Sequence, residues 1–336
     1  MDRKKKAIIY GNCHTSVIKA YLESCGLFCE DYYFYDIPQI QNIKNPDYFT
    51  PSIFKDCDLF IHQSIRLENR YGPEFASENI IKLLKPDCKI VSIPNVYHLP
   101  ICFFPQYYEE KELRINNKTF FFRDRIIDDG IRYGKTVKEI KEDYMSDNYY
   151  QSGEILSMYD TFLEKVRKRE KDWDIKVSDY IEKETSQIQL FYDPNHPCNC
   201  FLKYVSLEIL KILYPNEKSY KLDIANTEIF ILDTYEMPIC QSVASTFGFP
   251  KSTIYRKCGR KVLHKNMNID NYIKQYFSMC WIVNDFSFRI RVKSFLQWFS
   301  MKILDVPYFF VKAKNKIKRM AKQLTIREKF RNSTKK

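Results

Sequence analysis

At 336 residues with 45% apolar side chains, the chain has room for two domains, or for one large domain with an appendage, and enough apolar surface for a core. No apolar run approaches the ~18 residues a membrane-crossing helix needs, and a glycine count of only 8 argues against glycine-lined phosphate cradles. The net charge of +12 is uneven: residues 286–336 carry 15 Lys and Arg against Asp305 and Glu328, whereas residues 1–285 hold 39 basic and 40 acidic side chains, so a neutral body argues against a nucleic-acid groove.

Taken in order, the first hundred residues alternate between strand and helix patterns. Ala7–Tyr10 reads as a strand, and Thr15–Ser24 as a helix with Val17, Ile18, Tyr21 and Leu22 on one face. Phe28–Tyr35 reads as a second strand and Leu59–His62 as a third. A helix over Glu74–Leu84 follows, then a fourth strand, Lys89–Ile93, ending at Pro94. This alternation predicts an α/β fold with a doubly wound parallel sheet.

From Asp124 to Lys183 the pattern is helical. Thr136-x-x-Glu139 forms a capping box after Gly134, and Glu154–Lys171 is a long amphipathic stretch. Ile188–Tyr192 predicts a strand, followed by a loop with two prolines and a helix over Cys198–Leu213. Glu228–Leu232 predicts a further strand and Asp270–Trp281 a helix. In the tail, Phe288, Val292, Phe295, Phe299 and Ile303 share one helical face until Pro307 breaks it. Phe310, Ile317, Met320 and Leu324 give a second stripe among lysines. The chain thus divides into an α/β domain (1–215), an extension of it (216–285) and a basic amphipathic tail (286–336).

Eleven cysteines, an odd number without a Cys-x-x-Cys pair, argue against a zinc ribbon. No apolar leader follows the opening MDRKKK, so the expectation is a cytoplasmic protein with reduced thiols. The basic tail suits an anionic membrane surface, which makes peripheral attachment at the inner face of the cell membrane the expectation. Docking on a partner protein, or a plain solubilising end, are the alternatives.

Two short motifs carry chemistry. Gly11-Asn12-Cys13-His14-Thr15 lies between the first strand and the first helix. There a thiol meets the ligand-binding edge of an α/β sheet and the positive end of a helix. The alternative is a small buried residue in a βα turn. Asp193-Pro194-Asn195-His196-Pro197 lies on a loop stiffened by prolines. An Asp three residues before a His can hold Nδ1 and leave Nε2 as a base, unless the His is merely a loop residue. His14 could compete as base, but neighbouring side chains diverge at a helix start, so it is expected to point away.

Other patterns carry less. Gly130–Thr136 looks like a P-loop one residue short, with Asp129 in place of the first glycine. Cys198 and Cys200 beside His196 lack a fourth metal ligand at the usual spacing, so no metal is expected.

In order, the two motifs resemble the SGNH hydrolase superfamily, whose first block reads Gly-Asp-Ser: Cys13 stands in the serine position and Asn12 in the aspartate position of that block, and Asp193 and His196 match the final block. More closely, the sequence resembles the WcbI-like polysaccharide-biosynthesis acetyltransferases, an SGNH-like family with cysteine as nucleophile. The segments that carry the resemblance are Gly11–Cys13, His62-Gln63, and Ile93–Tyr97 followed by Pro100. Arg169-Glu170 through Asp174, Val177–Ile181, and Leu190–Tyr192 leading into Asn195–Pro197 complete them.

The resemblance implies acetyl-CoA as acyl donor, a glycan or sugar-precursor acceptor, and a role in bacterial capsule or surface polysaccharide assembly. It implies Cys13, His196 and Asp193 as the catalytic set. Asn12, Gln63 and Asn95 are the oxyanion or substrate candidates. Arg66, Arg70, Arg123 and Arg125 are candidates for the CoA phosphates. An SGNH-type carbohydrate esterase uses the same groups and is the rival enzyme reading. A non-catalytic, membrane-associated component of a glycan-assembly complex is the rival outside catalysis.

Overall fold

Parallel strands buried on both faces read as continuous apolar runs. Two such runs organise this fold, which is a computed structural model. It describes residues 3–43, 50–97, 99–115, 118–222, 237–249 and 269–280, with isolated positions at 290, 292, 296, 297 and 299. The expected strand Glu228–Leu232 and nearly all of the 286–336 tail lie outside the described residues.

The central sheet holds β1 (Lys5–Tyr10), β2 (Tyr32–Phe34), β3 (Leu59–Gln63) and β4 (Lys89–Ile93), all parallel, in the order β2-β1-β3-β4. Alternation along β1 and β3 feeds two cores. Ala7, Ile9, Leu59 and Ile61 join the larger cluster, and Ile8, Tyr10 and Phe60 the smaller one on the opposite face. The larger face receives α1 (His14–Glu23), whose buried Val17, Ile18, Tyr21 and Leu22 follow helical spacing. There α1 packs against α9 (Asn199–Leu213). On the smaller face sit α3 (Pro51–Phe54) and α4 (Ser77–Ile81). Helices this short have no stability of their own. Buried Phe54 and Ile80 hold them, at roughly 1.5–3 kcal/mol per fully buried large side chain.

Two expected elements are split. Residues 28–35 do not form one strand: α2 (Gly26–Asp31) buries Phe28, and only Tyr32–Phe34 pairs, at the sheet edge. The helix expected over 74–84 breaks at Ala76, whose extended backbone separates a single turn at Pro73–Phe75 from α4.

An antiparallel hairpin, β5 (Tyr107–Ile115) with β6 (Lys118–Asp124), follows the sheet. Four helices come next: α5 (Arg125–Arg132), α6 (Val137–Tyr144), α7 (Ser152–Arg169) and α8 (Ser178–Glu184). The capping box forms as expected, with Thr136 Oγ1 accepting from Glu139 N at 3.2 Å and Glu139 Oε2 accepting from Thr136 N at 2.6 Å. Glu170 caps α8 through Val177 N and Ser178 N, both at 3.0 Å. Asp174 closes the outer edge of β4 by accepting from Ser92 N at 2.7 Å and Ser92 Oγ at 2.8 Å.

Among the described residues β7 (Phe191–Asp193) pairs with β8 (His196–Pro197) alone, so there this segment is a tight loop beside the main sheet. Two helices, α10 (Gln241–Phe247) and α11 (Ile269–Cys280), complete the described structure. Tyr276 of α11 donates to Asp128 of α5 at 2.8 Å.

Candidate active site

In an open α/β sheet the ligand crevice forms where strand order reverses, outside the carboxyl ends of the strands. Here the chain goes from β1 to β2 on one side, then to β3 on the other, so the crevice falls between β1 and β3. Gly11 ends β1 at that point. A Cβ at Gly11 would lie 2.5 Å from Gln63 Oε1 and 2.9 Å from Thr15 Cγ2, so only glycine permits this approach.

Asn12 shapes the turn that follows. Its N–H donates to Gln63 Oε1 at 2.8 Å, its Oδ1 accepts from His14 N at 3.0 Å, and its carbonyl accepts from Thr15 N at 3.1 Å. Cys13 thus becomes the N-cap of α1 and is half-buried. Its N–H meets no acceptor among the described residues.

The partner comes from the β7–β8 loop. Wholly buried Asp193 accepts from Asn195 N at 2.7 Å and His196 N at 3.0 Å through Oδ1, which folds the turn. Its Oδ2 lies 2.8 Å from His196 Nδ1. One carboxylate therefore builds the loop and orients the ring, leaving Nε2 for the sulfur. His196 lies within hydrogen-bonding reach of Cys13. Burial pushes the His196 imidazole down, but the Asp193 carboxylate and Cys13 outweigh it and hold the group up at about 10. The ring keeps an opening to solvent, with 24% of the side chain exposed.

Two expectations, those for Gln63 and Arg123, are corrected, and His14 takes a place of its own. His14 points inward, fully buried, with its ring edge-on to His196 at 6.4 Å between centroids and its Nε2 2.8 Å from the Asn195 carbonyl. Burial, then the nearby His196, push it down to about 3, so it is no competing base. Gln63 is buried with its amide committed, Oε1 to Asn12 N and Nε2 to Pro94 O at 3.1 Å and towards His14 Nδ1 at 3.4 Å; no donor is left for an oxyanion. Arg123 is 3% exposed and paired with Asp128, so it cannot meet a phosphate in solution.

Asn95 is half-buried after β4. Its Oδ1 accepts from Tyr97 N at 3.2 Å, which leaves its amide nitrogen as a donor. Arg169, at the end of α7, donates to the Asn95 carbonyl at 3.4 Å. Burial and the charge of Arg66 both push Arg169 down. Sequence reasoning did not single out Arg169 as a candidate. Its signal was a helix-terminal arginine among the quoted segments. Arg70 is exposed and lies over the Tyr71 ring, 4.9 Å from the centroid. Arg125 is exposed at the start of α5 and is not among the residues brought to Cys13.

Cys198 and Cys200 are disulfide-bonded across the first turn of α9, at a Cα–Cα distance of 5.5 Å, which departs from the expectation of uniformly reduced thiols. Among the described residues no group of three His, Cys, Asp or Glu could hold a metal ion.

The molecule is a doubly wound α/β protein whose parallel sheet gathers Cys13, His196 and Asp193 at its carboxyl edge. A family model described as the polysaccharide biosynthesis enzyme WcbI matches residues 6–217, and the chain belongs to that family. A solved structure is similar in fold, with a TM-score of 0.65 at 16% identity over 88% of this chain and 100% of that one. That structure is described as WcbI, a novel polysaccharide biosynthesis enzyme, in its native form without a disulfide bond between coenzyme A and a cysteine. A search among curated proteins finds no match.

Proposed function

We propose that this protein is a CoA-dependent acyltransferase that moves an acetyl group from acetyl-CoA to a sugar hydroxyl of a bacterial capsule or surface polysaccharide, or of its precursor. The observation that carries the reading is the meeting of Cys13 with the Asp193-oriented His196 at the crevice edge. The family's place in polysaccharide biosynthesis and the coenzyme A named for the similar structure support the acceptor and the donor.

The chemistry follows from the charges. His196 first takes the proton of the Cys13 thiol and holds it as the imidazolium beside the sulfur. The sulfur bonds to the acyl carbon of the thioester as the CoA–carbonyl bond breaks, and His196 gives its proton to the leaving CoA sulfur. Thioester exchange is nearly isoenergetic, so cysteine suits this donor. Acylation also removes the negative charge of the Cys13 sulfur from beside His196, which favours neutral imidazole for the second half. His196 then takes the proton of a sugar hydroxyl, the oxygen attacks the acyl carbon, and Cys13 leaves as thiolate. The carbonyl oxygen is met by the Cys13 N–H and by the side-chain nitrogens of Asn95 or Asn12, whose oxygens are already engaged. Arg66 and Arg169, two cations that sense each other, are the proposed partners of the CoA phosphates.

The test is release of free CoA thiol from acetyl-CoA, with and without candidate glycans, in wild type, Cys13→Ala and His196→Ala. Glycan-dependent release lost in both variants is the expected result. Equal release by all three proteins rejects the site, and equal release with and without sugar makes a hydrolase the better name.

The basic segment 286–336 is proposed to rest on an anionic membrane surface. Among the described residues no helix is long and apolar enough to cross a membrane. Co-sedimentation with anionic liposomes, for the full chain and for a truncation after Asp285, checks this; equal pelleting of both removes it.

A further inference from the structure

The turn that carries the nucleophile and the loop that carries the base come from opposite ends of the domain. Among the contacts described, they are joined by a chain of hydrogen bonds whose direction is fixed at both ends. The Asn12 N–H can only donate, so the atom 2.8 Å away on Gln63 is the amide oxygen. The Pro94 carbonyl can only accept, so the Gln63 group 3.1 Å from it is the NH2. Its second hydrogen is directed to His14 Nδ1 at 3.4 Å, which must then carry no proton. The Asn195 carbonyl, 2.8 Å from Nε2, can only accept, so Nε2 carries the hydrogen. Asn195 and His196 in turn share Asp193 Oδ1 through their N–H groups.

We infer that His14 is a positioning residue, a permanently neutral Nε2–H imidazole that ties the base loop to the nucleophile turn through Asn195 and so sets the distance between Cys13 and His196. This rests on the Cys13–His196 reading above and adds a residue to it. A second proton on His14 would point at the Gln63 NH2 group and break the chain. Among the described residues, the groups in contact with the His14 ring are Gln63 from β3 and Asn195 and His196 from the loop, and none is a carboxylate that could support a charge. Burial and the His196 cation act in the same sense, holding His14 down at about 3. The two edge-on imidazoles are thereby separated into one cation for chemistry and one neutral strut.

The experiment has two arms on the full chain. In the first, 15N-histidine spectra of the wild type are followed between about pH 5 and pH 9, which brackets the ordinary imidazole range. The His14 signals are assigned by their loss in His14→Gln. A neutral Nε2–H tautomer that does not titrate is expected; an Nδ1–H tautomer or a titrating His14 overturns the inference. In the second arm, alkylation of Cys13 by iodoacetamide is measured by peptide mapping across the same pH range. The variants are His14→Phe, which removes both polar atoms, and His14→Gln, which keeps an N–H near the Asn195 carbonyl.

His14→Phe should lower Cys13 reactivity at the acid end by about 10- to 100-fold through misplacement of His196, and His14→Gln should recover most of it. A folded His14→Phe with the wild-type profile overturns the inference. His196→Ala separates the two claims. If it leaves Cys13 reactivity unchanged, the Cys13–His196 reading fails; if it lowers reactivity while His14→Phe does not, only the role of His14 fails. Should His14→Phe not fold, the first arm and His14→Gln still decide.

Discussion

Asp193 and Asp128 are both wholly buried, and each faces a cationic partner, yet they belong to regions that do different work. Asp128 accepts from Arg123 Nε at 2.7 Å and from Tyr276 at 2.8 Å, and its partner Arg123 is 3% exposed, so that cluster opens onto nothing. Asp193 spends one oxygen on its own loop and the other on an imidazole that stays partly open beside a sulfur. A displaced pKa marks both regions: burial raises Asp128 against the pull of Arg123, and pushes nearby Asp124 up to about 7. The perturbation therefore does not itself identify a site. What separates the two is a thiol within reach and a path to solvent.

The largest test of that contrast is catalytic. Cys13→Ala and His196→Ala should each lower glycan-dependent CoA release by at least about 1,000-fold, with melting temperatures that remain cooperative. Asp128→Ala should do the reverse. It strands Arg123 in the interior and should cost about 3–5 kcal/mol in denaturant unfolding, while the folded fraction keeps its turnover. If Asp128→Ala folds normally and loses activity, the two regions are not distinct. A smaller effect is expected at the crevice mouth, where Arg66→Ala and Arg169→Ala should each raise KM for acetyl-CoA by about 10-fold with kcat nearly unchanged.

The smallest effects lie in the pH dependence of stability. His196 is raised from 6.5 to about 10, so its contribution is fully present below pH 6.5 and is lost as pH rises through about 10. Asp124 is raised from 3.8 to about 7, so the folded state holds its proton longer than the unfolded one, and stability falls with rising pH between those values. His14, lowered from 6.5 to about 3, works against this in the acid window, adding stability as pH rises. His196→Ala should flatten only the alkaline limb of a stability–pH curve and Asp124→Asn only its own acid contribution.

The parts of this account legible in the sequence are those decided by near neighbours. Gly11-Asn12-Cys13 is a turn whose constraints lie within a few residues of the β1 end, Asp193 folds the loop it belongs to, and the Thr136–Glu139 box closes on itself. The continuous apolar runs of β1 and β3, alternating with helix patterns, make the doubly wound sheet legible for the same reason. Tertiary contact decided the rest. Phe28 enters the core from a helix and not a strand because α2 lays it against the larger cluster. Gln63 has the right chemistry for an oxyanion donor, but its amide is consumed by Asn12, Pro94 and His14. His14 was expected to diverge from Cys13, and it does; the direction it takes leads to a loop some 180 residues away. Arg123 looked like a phosphate ligand until α5 brought Asp128 beneath it.

The central claim is that the acyl group passes through the Cys13 sulfur with His196 beside it. Rapid-quench mass spectrometry of the wild type with acetyl-CoA should find a thioester adduct of about 42 Da confined to the Cys13 peptide, formed before product and almost absent in His196→Ala. Turnover that proceeds with no adduct on Cys13 at any quench time would contradict it.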